Sequence, residues 1–181
     1  MAQFPNSTGP NSGVWTLEDV YNARIGGNWP TVFIGDQGVF AGGSLNPGFS
    51  NVIDYINFGS LANAVDFGDL TVARYGPNSG SVGSTTRGCF GGGGEGSPIG
   101  TTTIDYITFK TSGNALDFGD LTVSGRALGA GISSSTRGVF GPRRGAPAPG
   151  TNNNVFDYIT IASTGNATDF GDATISAANN A

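Results

Sequence analysis

The residues best suited to chemistry in this chain are aspartate pairs three positions apart, such as Asp66 and Asp69. The pair recurs as Asp117 with Asp120 and as Asp169 with Asp172. Two neighbouring carboxylates are suited to binding Ca²⁺ or to acting as acid and base in a glycosidase. A catalytic pair needs one unique site, whereas a role in the fold explains every copy at once. We therefore expect the aspartates to be structural, and calcium binding stays open.

Composition excludes most other catalytic chemistry. The chain has no histidine, so it has no Ser-His-Asp or Cys-His arrangement and no His-ligated zinc, copper or iron site. Asp-Phe-Gly resembles the magnesium motif of kinases but comes without a catalytic loop, a lysine strand or a phosphate loop, so it indicates a turn. The glycines of 91–96 fit G-x-G-x-x-G without a strand-turn-helix context and predict a flexible loop. We expect no enzyme and no cofactor.

Charge and cysteine usage narrow the class of partners. The chain has only eight Lys and Arg, a net charge of −5 and no basic stripe, which disfavours nucleic acid and anionic membranes. No apolar run is long enough to span a membrane, and the N-terminus lacks the pattern of a signal peptide, so we expect synthesis in a cytoplasm without an ordinary export signal. Cys89 is the single cysteine, which excludes an intrachain disulfide. It occupies the position of Val39 and Val139, which predicts a small buried hydrophobe.

A tandem repeat of about fifty residues organises the chain from residue 38 onward. Each copy opens on Gly-Val-Phe or Gly-Cys-Phe, continues with an Asp-Tyr-Ile block, and then carries Asn-Ala-x-Asp-Phe-Gly-Asp. The positions that all copies share are Phe40, Phe90, Phe140, Asp54, Asp105, Asp157, Tyr55, Tyr106, Tyr158, Asp66, Asp117, Asp169, Phe67, Phe118 and Phe170. We expect repeat units at about 38–87, 88–137 and 138–181.

Each block predicts a short strand or a turn. The Asp-Tyr-Ile block is β-branched and aromatic, and it carries apolar residues on both faces, which favours small sheets stacked face to face. Asp-Phe-Gly-Asp predicts a turn with glycine at positive φ and phenylalanine in the core. The repeated Arg87 and Arg137 are expected to pin neighbouring strands through carbonyls or aspartates.

The loops between the first and second blocks vary most between repeats. They cover residues 41–52, 91–103 and 141–155, and in repeat proteins such insertions map to one face, which is often the binding face. The candidate binding residues there are Asn46, Phe49, Glu95, Arg143 and Arg144. For the Arg143-Arg144 pair, a solvated loop charge is the alternative to a local binding feature.

The N-terminal segment is separate from the repeats. Thr16 as N-cap, an apolar spacing of three and four residues, and Gly26-Gly27 predict a short helix between them. This helix is either a cap on one end of the β array or a docking element for a partner. The candidate docking residues are Trp15, Leu17, Val20, Tyr21 and Trp29.

The order of the blocks resembles a kelch repeat. Phe40-Ala41-Gly42-Gly43 and Phe90-Gly91-Gly92-Gly93 match the glycine pair of kelch strands, whereas Phe140-Gly141-Pro142-Arg143 departs from it and the usual tryptophan is missing. The resemblance implies small antiparallel β units in kelch-like order. Three units are too few to close a propeller, which takes roughly four to eight blades.

The chain also resembles repeat proteins of tailed bacteriophages, particularly marine and cyanobacterial ones. Their structural proteins carry runs similar to residues 86–93 and 157–172, and a lead-in similar to residues 12–30. The resemblance implies a non-enzymatic virion protein: a tail or neck fibre or appendage that contacts the host surface. The alternatives are a capsid decoration protein and a carbohydrate-binding β-repeat module.

Together these observations predict an all-β fold of three kelch-like repeats with a short N-terminal helix. Residues 1–30 form the N-terminal extension and 31–181 the β domain. We expect self-association into a dimer or trimer, contact with other virion proteins through residues 1–30, and host surface glycan as a candidate ligand.

Overall fold

A computed structural model describes Tyr21 and residues 37–76, 80–94, 100–109, 111–125, 127–128, 130–144 and 152–176. Contacts divide the chain into Met1–Ile34 and Gly35–Ala181. Of the predicted helix and docking residues, only Tyr21 is described; it has helical backbone conformation and an exposed side chain. Trp15, Leu17, Val20 and Trp29 lie outside the described residues, as does the predicted helix as an element.

The described part of the second unit is all-β, which confirms the all-β part of the predicted fold class. Its strands are β1 Gln37–Ser44, β2 Phe49–Asn57, β3 Val65–Asp69, β4 Ser81–Gly83, β5 Arg87–Gly91, β6 Thr101–Thr108, β7 Leu116–Gly125, β8 Ala127–Leu128, β9 Gly131–Ser133, β10 Arg137–Phe140, β11 Arg143–Arg144, β12 Val155–Thr160 and β13 Thr168–Asp172.

The strands form three antiparallel sheets and a small ribbon. Sheet 1 has the order β1-β2-β3, sheet 2 the order β4-β5-β6-β7, and sheet 3 the order β9-β10-β12-β13, while β8 pairs with β11. The three sheets share one register, because Phe40, Phe90 and Phe140 each face the aspartate of the Asp-Tyr-Ile block. The sequence repeat is therefore a repeat of three-stranded antiparallel sheets, with a fourth strand in sheets 2 and 3.

The fourth strands shift the boundaries of the structural units. β4 pairs with β5, and β9 pairs with β10, so each belongs to the sheet that follows it in the chain. A tight turn makes this pairing possible, because Ser84 Oγ accepts hydrogen bonds from the N–H groups of Thr86 and Arg87. Sheets 2 and 3 thus begin at residues 81 and 131, before the unit starts expected at 88 and 138.

Asp-Phe-Gly-Asp lies inside a strand, so its prediction as a turn is wrong. In β3, Ile53 pairs with Gly68 and Asp54 pairs with Asp66, which leaves Phe67 as the extra residue of a β-bulge. Gly68 has a φ of 146°, as a glycine at positive φ was predicted to have. The bulge, rather than a chain reversal, uses this conformation. It also sends the Phe67 ring into the core, where the ring is 4% exposed.

An apolar cluster joins sheet 1 to sheet 2, and a second joins sheet 2 to sheet 3. The first contains Ala41, Ile53, Phe67 and Leu70 from the sheet 1 side, and Phe90, Ile107 and Ala115 from sheet 2. The second contains Val82, Cys89, Ile104, Phe118 and Leu121 from sheet 2, and Phe140, Ile159, Ile161 and Ala167 from the sheet 3 side. Each sheet therefore contributes one face to each neighbour, as the apolar residues on both faces of the strands predicted.

Backbone hydrogen bonds join the outer strand of one sheet to a turn of the next. The carbonyls of Phe67 and Asp69 accept from the N–H groups of Gly113 (2.7 Å) and Ala115 (2.8 Å), and Asn114 Oδ1 accepts from the Asp69 N–H (3.1 Å). The same three bonds recur one sheet later. They are Gly165 to Phe118, Ala167 to Asp120, and Asp120 to Asn166. We call this set of three bonds the edge contact.

Replacing Gly68 or Gly119 by alanine should cost more folding free energy than replacing Gly171, their counterpart in sheet 3. All three glycines have a positive φ, so each alanine carries a similar backbone strain of about 1–3 kcal/mol. A Cβ added at Gly68 would lie 2.4 Å from the Gly113 backbone, and one added at Gly119 would lie 2.5 Å from the Gly165 carbonyl oxygen. A Cβ added at Gly171 would have nothing within 4 Å. We expect an additional loss of about 2 kcal/mol for Gly68→Ala and Gly119→Ala in urea denaturation of dilute protein. Equal losses at all three positions would contradict the edge contact.

Candidate functional site

Two buried aspartates lie where neighbouring sheets meet. Asp105 and Asp157 are both 0% exposed. Asp105 accepts from the Thr71 hydroxyl at 2.5 Å and the Thr71 N–H at 3.3 Å, and Asp157 accepts from the Thr122 hydroxyl at 2.5 Å and the Thr122 N–H at 3.0 Å. Each threonine belongs to the preceding repeat unit. The aspartate of the Asp-Tyr-Ile block therefore ties its own sheet to the preceding one.

A buried arginine completes each of these ties. Arg74 Nη1 lies 2.8 Å from Asp105 Oδ2, and Arg143 Nη2 lies 2.6 Å from Asp157 Oδ2, with all four side chains 0% exposed. Both guanidinium groups also donate to backbone carbonyls. Arg74 donates to Phe90 at 3.2 Å and Arg143 donates to Val123 at 2.9 Å. We call each group of aspartate, threonine and arginine a clamp.

The two arginines reach equivalent places from different positions of the repeat. Arg74 follows Leu-Thr-Val-Ala, and the counterpart after Leu-Thr-Val-Ser is Gly125. Arg143 stands three residues after Phe140, and the counterpart three residues after Phe90 is Gly93. A Cβ at Gly125 would lie 2.4 Å from Arg143 Cβ, so the Arg143 side chain fills the space beside Gly125. One interface thus takes its arginine from the preceding repeat and the other takes it from the following repeat.

Arg143 was expected in a variable binding loop, or as a solvated loop charge, and the structure places it in the interior. Its side chain is fully buried because it is surrounded by Asp157, the Val123 carbonyl and the backbone of Gly125. Burial lowers the pKa of the Arg143 guanidinium below its ordinary value, and the charge of Asp157 opposes this shift. Arg143 is therefore unavailable to a surface ligand.

The other candidate loop residues have different surroundings. Asn46 is exposed in the turn between β1 and β2, where it precedes a cis proline. Phe49 is half-buried and its ring lies 5.3 Å from the ring of Tyr75. Arg144 is exposed and pairs with Ala127 in the β8–β11 ribbon. Glu95 lies outside the described residues.

The paired aspartates contribute to local backbone geometry. Asp66 Oδ1 accepts from the Gly68 N–H at 3.1 Å, and Asp169 Oδ1 accepts from the Gly171 N–H at 2.8 Å, which stabilises the bulge. Asp120 Oδ1 accepts from the Thr102 hydroxyl at 2.8 Å. Within the described ranges, no three or more His, Cys, Asp or Glu side chains are grouped as they would be to hold a metal ion.

Arg87 pins a neighbouring sheet, as the sequence predicted. Its guanidinium donates to the carbonyls of Ile161 (3.1 Å) and Ala162 (3.0 Å) and lies 4.6 Å from the centroid of the Tyr106 ring. Arg137 lies over Tyr158 in the same way, at 4.7 Å, but it is exposed. Arg87 therefore adds a third tie between sheets 2 and 3.

Cys89 is a buried apolar residue of β5, as its alignment with Val39 and Val139 predicted. Its side chain is 0% exposed and lies in the cluster between sheets 2 and 3. Burial raises the pKa of its thiol to about 12, against a smaller opposing effect of Arg87. The thiol is consequently protonated and unreactive at neutral pH.

Comparison with protein families and with curated proteins finds no match for this chain. Within the residues that the structure describes, no helix is long and apolar enough to cross a membrane.

Sequence reasoning missed Thr71, Thr122 and Arg74 as partners of the buried aspartates. The two threonines follow Asp-Phe-Gly-Asp-Leu in both repeats, so their recurrence was a usable signal. Arg74 gave no such signal, because its counterpart in the next repeat is a glycine. The function of Arg74 can be recognised only by comparing the two interfaces. The first interface has Arg74 and Gly93 at the two positions, whereas the second has Gly125 and Arg143.

Asp157→Ala should strongly destabilise the chain, because it leaves Arg143 buried without a countercharge. Removing one member of a buried ion pair costs about 3–5 kcal/mol. The matched control is Asp54→Ala in sheet 1, where Asp54 is half-buried and no described residue hydrogen-bonds to its side chain. We expect the control to lose less than about 1 kcal/mol. Chemical denaturation of dilute protein measures both, and similar losses would contradict the clamp.

An arginine at position 125 should restore the stability that is lost when Arg143 is replaced by glycine. Arg143→Gly alone leaves Asp157 without its ion pair, and Gly125→Arg alone places its Cβ within 2.4 Å of Arg143 Cβ. The double variant recreates the pattern of Arg74 with Gly93. We expect it to recover most of the stability that Arg143→Gly loses, a coupling of about 1–3 kcal/mol in a double-mutant cycle. Additive losses would show that the two positions do not share one function.

Proposed function

We propose that this chain is a non-enzymatic structural protein of a bacteriophage virion, and specifically a tail or neck fibre or appendage. The observation that supports this best is that the repeated polar residues bind neighbouring sheets to one another. Asp105 and Asp157, the aspartates of the Asp-Tyr-Ile block, are fully buried and ion-paired between sheets. Groups fixed in this way hold repeats together.

The surface chemistry is compatible with an exposed particle protein. Charged residues are only 12% of the chain, and most charges placed inside the fold are paired with one another. The loops between the first and second blocks differ between repeats, while both interfaces between sheets have an edge contact and a clamp. A constant framework with variable loops fits recognition of a host surface.

The resemblance to tailed-phage repeat proteins directs the proposal to the virion. It rests on residues 86–93 and 157–172, which include the Arg87 tie and the bulged strand β13. These segments carry structural functions in this fold, so a protein that shares them shares the means of joining its sheets. Host surface glycan is the proposed ligand class, and residues 1–30 are the proposed contact with other virion proteins.

Mass spectrometry of purified particles, followed by immunogold labelling with antibody raised against the recombinant chain, tests this function. We expect peptides of the chain in intact particles and gold at the tail or neck. Gold spread evenly over the head would identify a capsid decoration protein instead. Absence from particles, together with specific binding on a glycan array, would replace the proposal by a free carbohydrate-binding module.

A further inference from the structure

Sheet 3 has an exposed apolar face, although the counterparts of its residues in the preceding sheets are buried. Phe67 and Phe118, which pack against the following sheet, are 4% and 2% exposed, but their counterpart Phe170 is 54% exposed. Ile132 is 68% exposed, whereas its counterpart Val82 is 5% exposed. Sheet 3 therefore presents an apolar surface shaped like the one that sheet 2 presents to sheet 3.

Sheet 1 has an exposed apolar face on the side that, in sheets 2 and 3, packs against the preceding sheet. Phe90 and Phe140, which pack against the preceding sheet, are 3% and 0% exposed, but Phe40 is 54% exposed. Phe58 is 69% exposed, whereas its counterpart Ile161 is 1% exposed. Sheet 1 therefore presents the surface that sheets 2 and 3 each use to receive the sheet before them.

Both faces also carry the polar groups of an edge contact. The Phe170 carbonyl and the Asp172 N–H and carbonyl correspond to the three groups of the edge contact, yet within the described residues nothing bonds to them from a further turn. On sheet 1, Asn63 and Ala64 are exposed and correspond to Asn114 and Ala115. Each half of an edge contact is thus exposed at one end of the array.

We propose that sheet 3 of one copy of this chain docks on sheet 1 of a second copy, which repeats the interface that joins the sheets within the chain. The occupant of each open face is the other open face, because the intramolecular interfaces show which residues fit together. This contact does not depend on the proposed virion function. It is head-to-tail, so it closes into a ring or continues as a filament.

Specific pairs follow from the equivalence of the repeats. The Asp172 N–H would donate to the Asn63 side-chain oxygen of the second copy and the Asp172 carbonyl would accept from its Ala64 N–H, as Asp69 and Asp120 do with the next turn. Thr174, which is exposed, would donate to Asp54, as Thr71 donates to Asp105.

Arg137 of sheet 3 would donate further hydrogen bonds to the second copy, in the way that Arg87 of sheet 2 donates to sheet 3. Arg87 donates to the carbonyls of Ile161 and Ala162. The corresponding carbonyls of sheet 1 are those of Phe58 and Gly59. Arg137, which is exposed over Tyr158, is already in the conformation that Arg87 uses.

The contact between copies differs from the internal ones at two places. Ala62 stands where Gly113 and Gly165 adopt φ of 154° and 153°, a conformation that alanine resists. The arginine of the clamp is also missing, because its two possible positions hold Gly43 and Ala177. Both differences weaken the contact, so association should be reversible, with half-dissociation at about 1–100 µM chain.

Sedimentation velocity of the full chain over this concentration range tests the proposal. We expect the wild type to self-associate, Gly171→Ala to weaken association at least about tenfold, and Ala62→Gly to strengthen it about tenfold. Gly171→Ala adds a Cβ at the position where Gly68 meets Gly113, with nothing to meet in the single chain. Gly48→Ala is the strain-matched control, since Gly48 has a φ of 101° and open surroundings. A wild type that stays monomeric would overturn the proposal.

Mixing two blocked variants tests the head-to-tail geometry. Ala64→Arg blocks the sheet 1 face, because Ala115 and Ala167 at this position are 5% and 9% exposed. Gly171→Ala blocks the sheet 3 face. Each variant alone should remain monomeric, whereas the mixture should form a 1:1 complex that does not grow. Self-association that survives both substitutions would show that another surface joins the copies and would reject the proposed interface.

Discussion

Docking of a bulged strand edge on the turn of the following sheet is the contact on which the rest of this structure depends. A β-sheet leaves unpaired N–H and C=O groups at its outer strand, and these groups need partners when they are covered. Here Asp-Phe-Gly-Asp meets this need, since Asp69 and Asp120 bond through both backbone groups to the next turn. Because the same bulge buries Phe67 and Phe118, the edge contact and the apolar core form together.

The clamps add specificity to a contact that apolar packing alone would leave loosely defined. A buried ion pair contributes little net stability over a well-packed apolar pair, but a wrong register would leave its charges unpaired. Asp105 and Asp157 must each meet one threonine and one arginine. A sheet displaced by one position would lose all of these partners. The clamps therefore disfavour alternative stackings, which repeated sequences with nearly equal faces would otherwise allow.

The sequence predicted the all-β class, the apolar faces, the burial of Cys89 and the contact made by Arg87, because each of these features produces a periodic pattern or recurs at aligned positions of the repeats. It misplaced Asp-Phe-Gly-Asp, since a glycine at positive φ fits a turn and a bulge equally well. It also placed Arg143 in a surface loop. An arginine beside glycine and proline looks solvated in sequence, and only the partnership with Gly125 and Asp157 in space shows that it is interior. Such pairings join residues far apart in the chain and leave no local pattern.

The residues that all repeats share and the residues that vary between repeats have different surroundings in this fold. Shared positions such as Phe67 and Asp105 have their side chains in an interface between sheets. The shared Asp66 and Asp169 instead stabilise the bulge of their own strand. The exposed turn at Asn46 and the exposed Arg144 have no such function. The edge contact uses backbone groups and an asparagine of the repeated block, so it does not involve the variable loops. The clamp between sheets 2 and 3 does involve one of them, because Arg143 lies in the loop at 141–155. The repeated residues therefore account for most of the contacts that hold the described sheets together.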